Sequence, residues 1–325
     1  HDKGSLFSYN LLTSTYSTLL SLGGTELQNP SGALMYYNNK LYGTCENGGI
    51  VSNTDQWAGG IYEFDPATGL YTVKVNMHDT IGNTYDNGGF TLLNNKFYGV
   101  SSYGGNNSEG SLYVYDPANN SVSKLHDFAF ATGSKPFGAL SVYNGKLYGT
   151  CKDGSSNGLG NVFEYNPVTN VYSQKVVLDN TKGSQPYGKL TWYNNKFYGV
   201  CFSGGTHFGG TIFEYNPAIN SYVKKIDLDS ATGDHPFGGL TEWNSKLYGM
   251  TMFGGSVDSG SIFEYNPLTN IYSKKVDLNA SKGVQPLSML TLMNNKFYSM
   301  TQGRGSSNCG TLFQYDPALN SYTVK

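Results

Sequence analysis

Short runs of β-prone residues, each closed by Asn, Gly, Pro or Ser, follow one another along this chain, and Leu240 to Leu278 shows the pattern in full. Leu240-Thr241-Glu242-Trp243 is brief, and Asn244-Ser245 makes a tight turn into a longer run, Lys246 to Met252. Equivalent turns are Asn38-Asn39, Asn94-Asn95, Asn144-Gly145, Asn194-Asn195 and Asn294-Asn295. Asn and Gly tolerate the positive φ that a two-residue hairpin requires. A third run, Ser261 to Tyr265, stops at Asn266-Pro267, where proline ends ladder pairing and presets a turn. The fourth extends from Ile271 to about Leu278, and a link carrying Gly283 and Pro286 leads onward. The unit predicts four short antiparallel strands.

This unit recurs. The signature Lys-(Leu/Phe)-Tyr-(Gly/Ser) begins at Lys40, Lys96, Lys146, Lys196, Lys246 and Lys296, at intervals of 56, 50, 50, 50 and 50 residues. A period near 50 suits one four-stranded propeller blade, so the fold class is all-β, a β-propeller of antiparallel blades in a single domain over 1–325. Successive blades fall at 31–76, 88–127, 137–179, 187–229, 237–279 and 287–325, and residues 4–22 match only the second half of a repeat. Propellers commonly close by building one blade from both chain ends, which removes an exposed edge. The lone hairpin therefore predicts a seventh blade completed by sequence beyond Lys325, which would make the chain a piece of a longer protein. The alternative is a six-bladed ring from Ser31 to Lys325 with residues 4–22 packed outside it.

Composition narrows the function. The net charge is −2 and Arg304 is the only arginine, so there is no basic footprint for a phosphate backbone and no nucleic-acid partner is expected. The 42 glycines and 27 tyrosines suit short strands joined by glycine turns, and no run of 18 apolar residues predicts a membrane span. The chain opens His1-Asp2-Lys3 with no signal peptide in view, which reads as a processed or trimmed start. A surface of Asn, Ser, Thr and Gly suits an extracellular or cell-surface location. Cys45, Cys151 and Cys201 share one repeat column with Ser101, Thr251 and Thr301, too far apart on successive blades to bridge, and read as buried thiols. No CxxC or HxxxH spacing marks a metal site, and Asn53-Thr54-Asp55 lacks EF-hand or RTX spacing, so no metal or other cofactor is expected.

The repeats resemble kelch-type propeller repeats in the doublets Gly48-Gly49, Gly104-Gly105, Gly204-Gly205 and Gly254-Gly255 and in the turn series from Asp65-Pro66 to Asp316-Pro317. Tyr71, Tyr172, Tyr222, Tyr272 and Tyr322 follow the turns where kelch repeats carry Trp, so the match is partial. They are more similar to the glycine-rich GloVer tandem repeats of secreted and surface-sorted bacterial proteins. That pattern, GG-x(n)-G-(S/T)-hydrophobic-Phe, is carried by Gly204-Gly205 to Phe213 and Gly254-Gly255 to Phe263, and more loosely by Gly104-Gly105 to Tyr113 and Gly303 to Phe313. The resemblance implies a propeller and an extracellular setting, and leaves the ligand open.

Turns between strands one and two, and between three and four, share one face and hardly vary among copies. Loops between strands two and three, and the links into the next strand one, share the other face and diverge, which is where a binding site is free to form. The candidates there are Trp57, Tyr103, Lys152, Asp153, Phe202, His207, Phe208, His235, Phe253 and Arg304. Trp57 ends the insertion Ile50 to Gly59 and would fold over the mouth as a lid or cover its own blade. Phe137, Tyr187 and Phe237 read as plugs at the ends of blade seams.

No catalytic signature stands out. The column Glu63, Glu164, Glu214 and Glu264 lies mid-strand in repeated context and reads as blade structure, although a carboxylate pair at the mouth, such as Asp153 with Asp234 or Asp258, stays open. One arginine is too few for a sialidase-like site, the five histidines are scattered, and no GxSxG elbow or phosphate loop occurs. The expectation is a secreted or surface-displayed non-catalytic recognition or scaffold module. Its partner would be a glycan or protein on the cell surface, with a place in a larger surface assembly. A polysaccharide-active hydrolase or lyase, or a self-associating structural repeat, are the alternatives.

Overall fold

The computed structural model describes residues 3–23, 27–48, 59–78, 80–83, 88–305 and 308–325. Its strands form six antiparallel sheets of four or five strands and one two-stranded hairpin. The protein is an all-β propeller of six blades. Contacts divide it into one unit of His1–Gly149 with Phe163–Ser173 and a second of Thr150–Val162 with Gln174–Lys325.

In the first unit, blade one comprises Gln28–Tyr37, Lys40–Asn47, Gly60–Phe64 and Tyr71–Asn76, and blade two comprises Thr91–Leu93, Lys96–Ser101, Ser111–Asp116 and Ser121–Asp127. Tyr42 and Ile61 of blade one bury against Phe97, Tyr113 and Tyr115 of blade two. In the second unit, blade four is Thr191–Tyr193, Lys196–Cys201, Thr211–Asn216 and Ser221–Asp227. Blade five is Asp234–Pro236, Thr241–Trp243, Lys246–Phe253, Ser261–Asn266 and Ile271–Asp277, and blade six runs from Thr291–Met293 to Ser321–Val324. Tyr198, Val200 and Ile212 of blade four close on Leu240, Leu247, Phe263 and Tyr265 of blade five, so the core lies between sheets.

The predicted hairpin turns are present. Asn194 and Asn195 have φ of 48° and 61°, and Asn244 and Ser245 have 50° and 63°, the doubly left-handed backbone that matches strand twist. The turn after strand three is closed by side chains, with Asn216 Oδ1 accepting from the Ala218 amide at 3.0 Å and the Tyr215 hydroxyl donating to Asn220 Oδ1 at 2.9 Å. The glycine of the repeated signature is required by packing, since a Cβ at Gly249 would lie 2.5 Å from the Phe263 ring.

Two expectations need correction. The hairpin Ser5–Asn10 and Thr15–Ser21 pairs with no other strand among the described residues, so a seventh blade is not supported. It is satisfied by stacking instead, burying Leu6 and Leu22 with Leu27, Cys45, Tyr62 and Phe64 of blade one. With six sheets of four or five strands beside it, the six-bladed alternative is the observed one. The proline links are also more ordered than loops, since Asp234 and Pro236 pair with Phe253 and Thr251 and extend the edge strand of their own blade. Proline is tolerated there because an edge strand leaves one side unpaired.

Candidate functional site

The residue before each link proline is held in left-handed backbone: φ is 55° at Gln185, 54° at His235 and 55° at Gln285 in the second unit, and 51° at Lys135 in the first. Such a conformation is costly for residues with a Cβ and persists only where its surroundings fix it. Here the amide is anchored to the preceding blade's loop. Gln185 donates to Leu159 O at 3.0 Å, His235 to Gly209 O at 2.6 Å and Gln285 to Ser259 O at 3.3 Å. The proline then sets the direction in which the aromatic residue after it leaves the strand.

This device assembles a strip of rings in the second unit. Tyr187 stacks on Phe237 with centroids 4.6 Å apart and planes at 23°. Phe202 meets Tyr187 edge-on at 5.4 Å, and His235 lies between Phe202 at 4.8 Å and Phe253 at 5.7 Å. Lys152 Nζ stands 5.3 Å over the Tyr187 ring and 3.8 Å from Asp153. All five rings are half-buried. His235 Nδ1 lies 3.1 Å from Asp234 Oδ1, yet the orientation makes no hydrogen bond, and both atoms are buried without another partner.

The loops beside the strip are anchored below it. Asp227 accepts from the Thr206 amide at 2.9 Å and from Lys224 Nζ at 2.8 Å, and Asp277 does the same with Ser256 and Lys274. Burial opposes ionisation of Asp227, but these donors outweigh it and hold its carboxyl below the ordinary range. The glycine doublets therefore serve loop geometry, with φ of 81° and 79° at Gly204 and Gly205.

Of the sequence candidates, the structure brings Lys152, Asp153, Phe202, His235 and Phe253 together. Phe208 and His207 sit at the tip of the neighbouring loop, where Phe208 is 63% exposed in left-handed backbone. Arg304 is exposed on the blade-six loop. Tyr103 belongs to the first unit, with Lys135 Nζ 5.9 Å over its ring. Trp57, the insertion 50–58 with Asn53-Thr54-Asp55, and Tyr85-Asp86 lie outside the described residues. Tyr187 and Phe237, expected as seam plugs, are the centre of the strip. Their repeat position after the proline was the available signal.

The glutamate column is blade structure. Glu214 accepts from the Tyr198 hydroxyl at 2.8 Å and Lys196 Nζ at 2.7 Å, and Glu264 accepts from Tyr248 at 2.5 Å and Lys246 at 2.8 Å. Cys45, Cys151 and Cys201 are buried thiols outside any disulfide.

A six-bladed all-β propeller with a ring strip at its divergent loops is the class that fold and geometry define. The chain belongs to the Gloeobacter/Verrucomicrobia repeat family, whose sequence model matches residues 1–154, 51–244 and 142–325. This agrees with the GloVer resemblance and lends no support to the kelch part of it. No curated protein matches the chain. Among solved structures it is similar to a putative 6-phosphogluconolactonase from Bacteroides fragilis, at 17% identity over 98% of this chain and 88% of that one, with a TM-score of 0.62. It is likewise similar to another from Bacteroides uniformis, at 14% identity over 98% and 90%, with a TM-score of 0.61. TolB from Acinetobacter baumannii matches at 14% identity over 81% of this chain with a TM-score of 0.50, and the chain spans 58% of the length of that protein. At these identities the likeness concerns the fold alone.

Proposed function

We propose that this chain is a non-catalytic recognition propeller, secreted or displayed at the cell surface, that binds a glycan or protein partner through its divergent loops. The observation that carries the reading is the strip of half-buried rings Tyr187, Phe202, His235, Phe237 and Phe253, held by a strained but anchored backbone. Rings with apolar faces and polar edges suit stacked sugars or peptide side chains, and sites of this kind combine aromatic surface with few polar groups. The extracellular setting is the part of this reading that rests on the sequence resemblance to GloVer repeats and on the abundance of Asn, Ser and Thr. A glycan and polysaccharide array probed with wild type and with Phe202→Ala/Phe253→Ala tests the reading. Specific binding that the double variant loses, at an unchanged unfolding midpoint, supports it. Equal binding by both proteins sinks the assignment of the site.

The contact of Asp234 with His235 at 3.1 Å favours a second reading, a polysaccharide-active hydrolase using that pair for proton transfer. Turnover of a polysaccharide panel that Asp234→Asn abolishes would establish it in place of the first.

A further inference from the structure

Within each unit, neighbouring blades meet through two different faces. At the seam between blades four and five, Tyr198, Val200 and Ile212 form the leaving face, and Leu240, Leu247, Phe263 and Tyr265 form the receiving face. The next seam repeats this, with Tyr248, Met250 and Ile262 of blade five against Leu290, Phe297, Phe313 and Tyr315 of blade six. The N-terminal hairpin obeys the same rule in the first unit. Its Leu6 and Leu20, at the repeat positions of Ile212 and Ile226, pack on blade one as a leaving face.

One face of each kind is left over. The hairpin's receiving face carries Phe7, Tyr9 and Tyr16, the equivalents of Phe213, Tyr215 and Tyr222. Phe7 stacks on Tyr16 with centroids 5.1 Å apart, as Phe213 stacks on Tyr222 at 5.1 Å. Yet Phe213 and Tyr215 are fully buried, whereas Phe7 and Tyr9 are half-buried and Tyr16 is 57% exposed. On blade six the leaving face carries Tyr298, Met300 and Leu312. Met300 is 46% exposed, although Val200 and Met250 in the same column are 2% and 4% exposed.

The leaving face of blade six is also neutral. Glu214 and Glu264 of the two preceding blades give way to Gln314, which accepts from the Tyr298 hydroxyl at 3.1 Å. A terminal repeat that ends in water needs a polar outer face, and apolar surface left exposed favours association. At both seams of the second unit, what covers a leaving face is a receiving face of the hairpin's kind.

We infer that the receiving face of the hairpin in one copy docks on the leaving face of blade six in a second copy, so that the chain associates head to tail with itself. Phe7 and Tyr9 take the places of Phe313 and Tyr315, and Tyr298, Met300 and Leu312 those of Tyr248, Met250 and Ile262. Because the two faces differ, a dimer keeps one unused face of each kind and can grow further. None of these residues belongs to the ring strip, so the inference stands or falls apart from the recognition reading.

Sedimentation velocity of the intact protein over a concentration series tests it, using wild type, Tyr16→Lys, Met300→Lys and an equimolar mixture of the two variants. Wild type is expected to form dimers and larger species as concentration rises. Each variant alone is expected to stay monomeric, since a lysine in the apolar contact would bury an unpaired charge. Both positions are exposed, so the thermal midpoints should match wild type. The mixture is expected to yield a 1:1 dimer and nothing larger, because Tyr16→Lys keeps a sound blade six and Met300→Lys keeps a sound hairpin. Wild type that stays monomeric at every concentration overturns the inference. Association that survives either substitution, or a mixture that stays monomeric, overturns the pairing of these two faces.

Discussion

Lys96 Nζ lies 3.1 Å from Asp116 Oδ2, although two repeats later the equivalent Lys196 takes its carboxylate from Glu214. The reason is the residue opposite Tyr98, which is Val114, whereas the residue opposite Tyr198 is Glu214. Blade six repeats the exchange, with Gln314 opposite Tyr298 and Lys296 turned to Asp316 at 3.4 Å. Each of these lysines keeps a carboxylate, but the partner moves from the strand to the turn.

The two kinds of pair are not equivalent, which gives a first prediction. Glu214 is enclosed and joins both Tyr198 and Lys196, and hydrogen bonds to a charged group typically contribute about 1.5–3 kcal/mol. Glu214→Gln is expected to lower the denaturant midpoint measurably, by about 1–2 kcal/mol of stability. Asp116 is half-buried and its partner Lys96 is exposed, and Asp116→Asn keeps the acceptor for the Ala118 amide, so that change should shift the midpoint less. Burial opposes Glu214 ionisation, but Lys196 and Tyr198 outweigh it and hold the carboxyl below its ordinary 4.5. A depressed pKa gives stability that is present above 4.5 and lost as pH falls below it, so the gap between wild type and Glu214→Gln should close in acid. Equal midpoints at neutral pH would remove the structural role of the column.

Alkaline pH acts through the tyrosines. Burial pushes Tyr115 up to about 12, and Tyr198, Tyr248, Tyr265 and Tyr315 are raised further, again chiefly by burial. A raised folded-state pKa gives stability that is complete below the ordinary 10.0 and lost as pH climbs through the folded value. Several such groups act in one cooperative structure, so unfolding above pH 10 should be steep. Ultraviolet absorbance and circular dichroism followed together check this. Tyrosinate from the buried set should appear only as the strand signal disappears, and full ionisation with that signal intact would refute it.

Much of this fold is legible because its constraints act on residue type. Positive φ at Asn194 and Asn195 leaves few choices, so the hairpin turns announce themselves. Glu214 and Glu264 reveal a blade role by recurring. The hairpin of residues 4–22 does not reveal its fate, because its apolar face can be buried by stacking or by completing a sheet, and both patterns look alike in sequence. The site was half legible. Phe202, His235 and Phe253 stand out by diverging from their columns, whereas the Tyr187–Phe237 stack depends on which way the chain leaves Pro186 and Pro236.

The signature glycine carries a third prediction. Gly249→Ala would set a methyl against the Phe263 ring in strand three, and overpacking of this kind typically costs about 1–3 kcal/mol. Adding Phe263→Leu opens space and should recover part of the loss, so the two changes are non-additive in a double-mutant cycle. Strict additivity would mean that the glycine serves backbone freedom rather than the ring.

The cysteines give the last. Cys201 lies opposite Thr211 in its ladder, as Thr251 lies opposite Ser261, and burial raises its thiol and that of Cys45 to about 12. Cys151 is also buried, while Cys309 is exposed. Because the thiolate is the reacting species, the buried thiols are slowed both by access and by ionisation. An aromatic disulfide reagent at neutral pH should therefore modify Cys309 at once and the other three only as the protein unfolds, at a rate independent of reagent concentration. Peptide mapping of the modified protein identifies the sites. Rapid labelling of Cys201 in the folded protein would show that the space between blades four and five opens without global unfolding, and would contradict the packing of Leu240 and Phe263 against Val200 and Ile212 that holds those blades together.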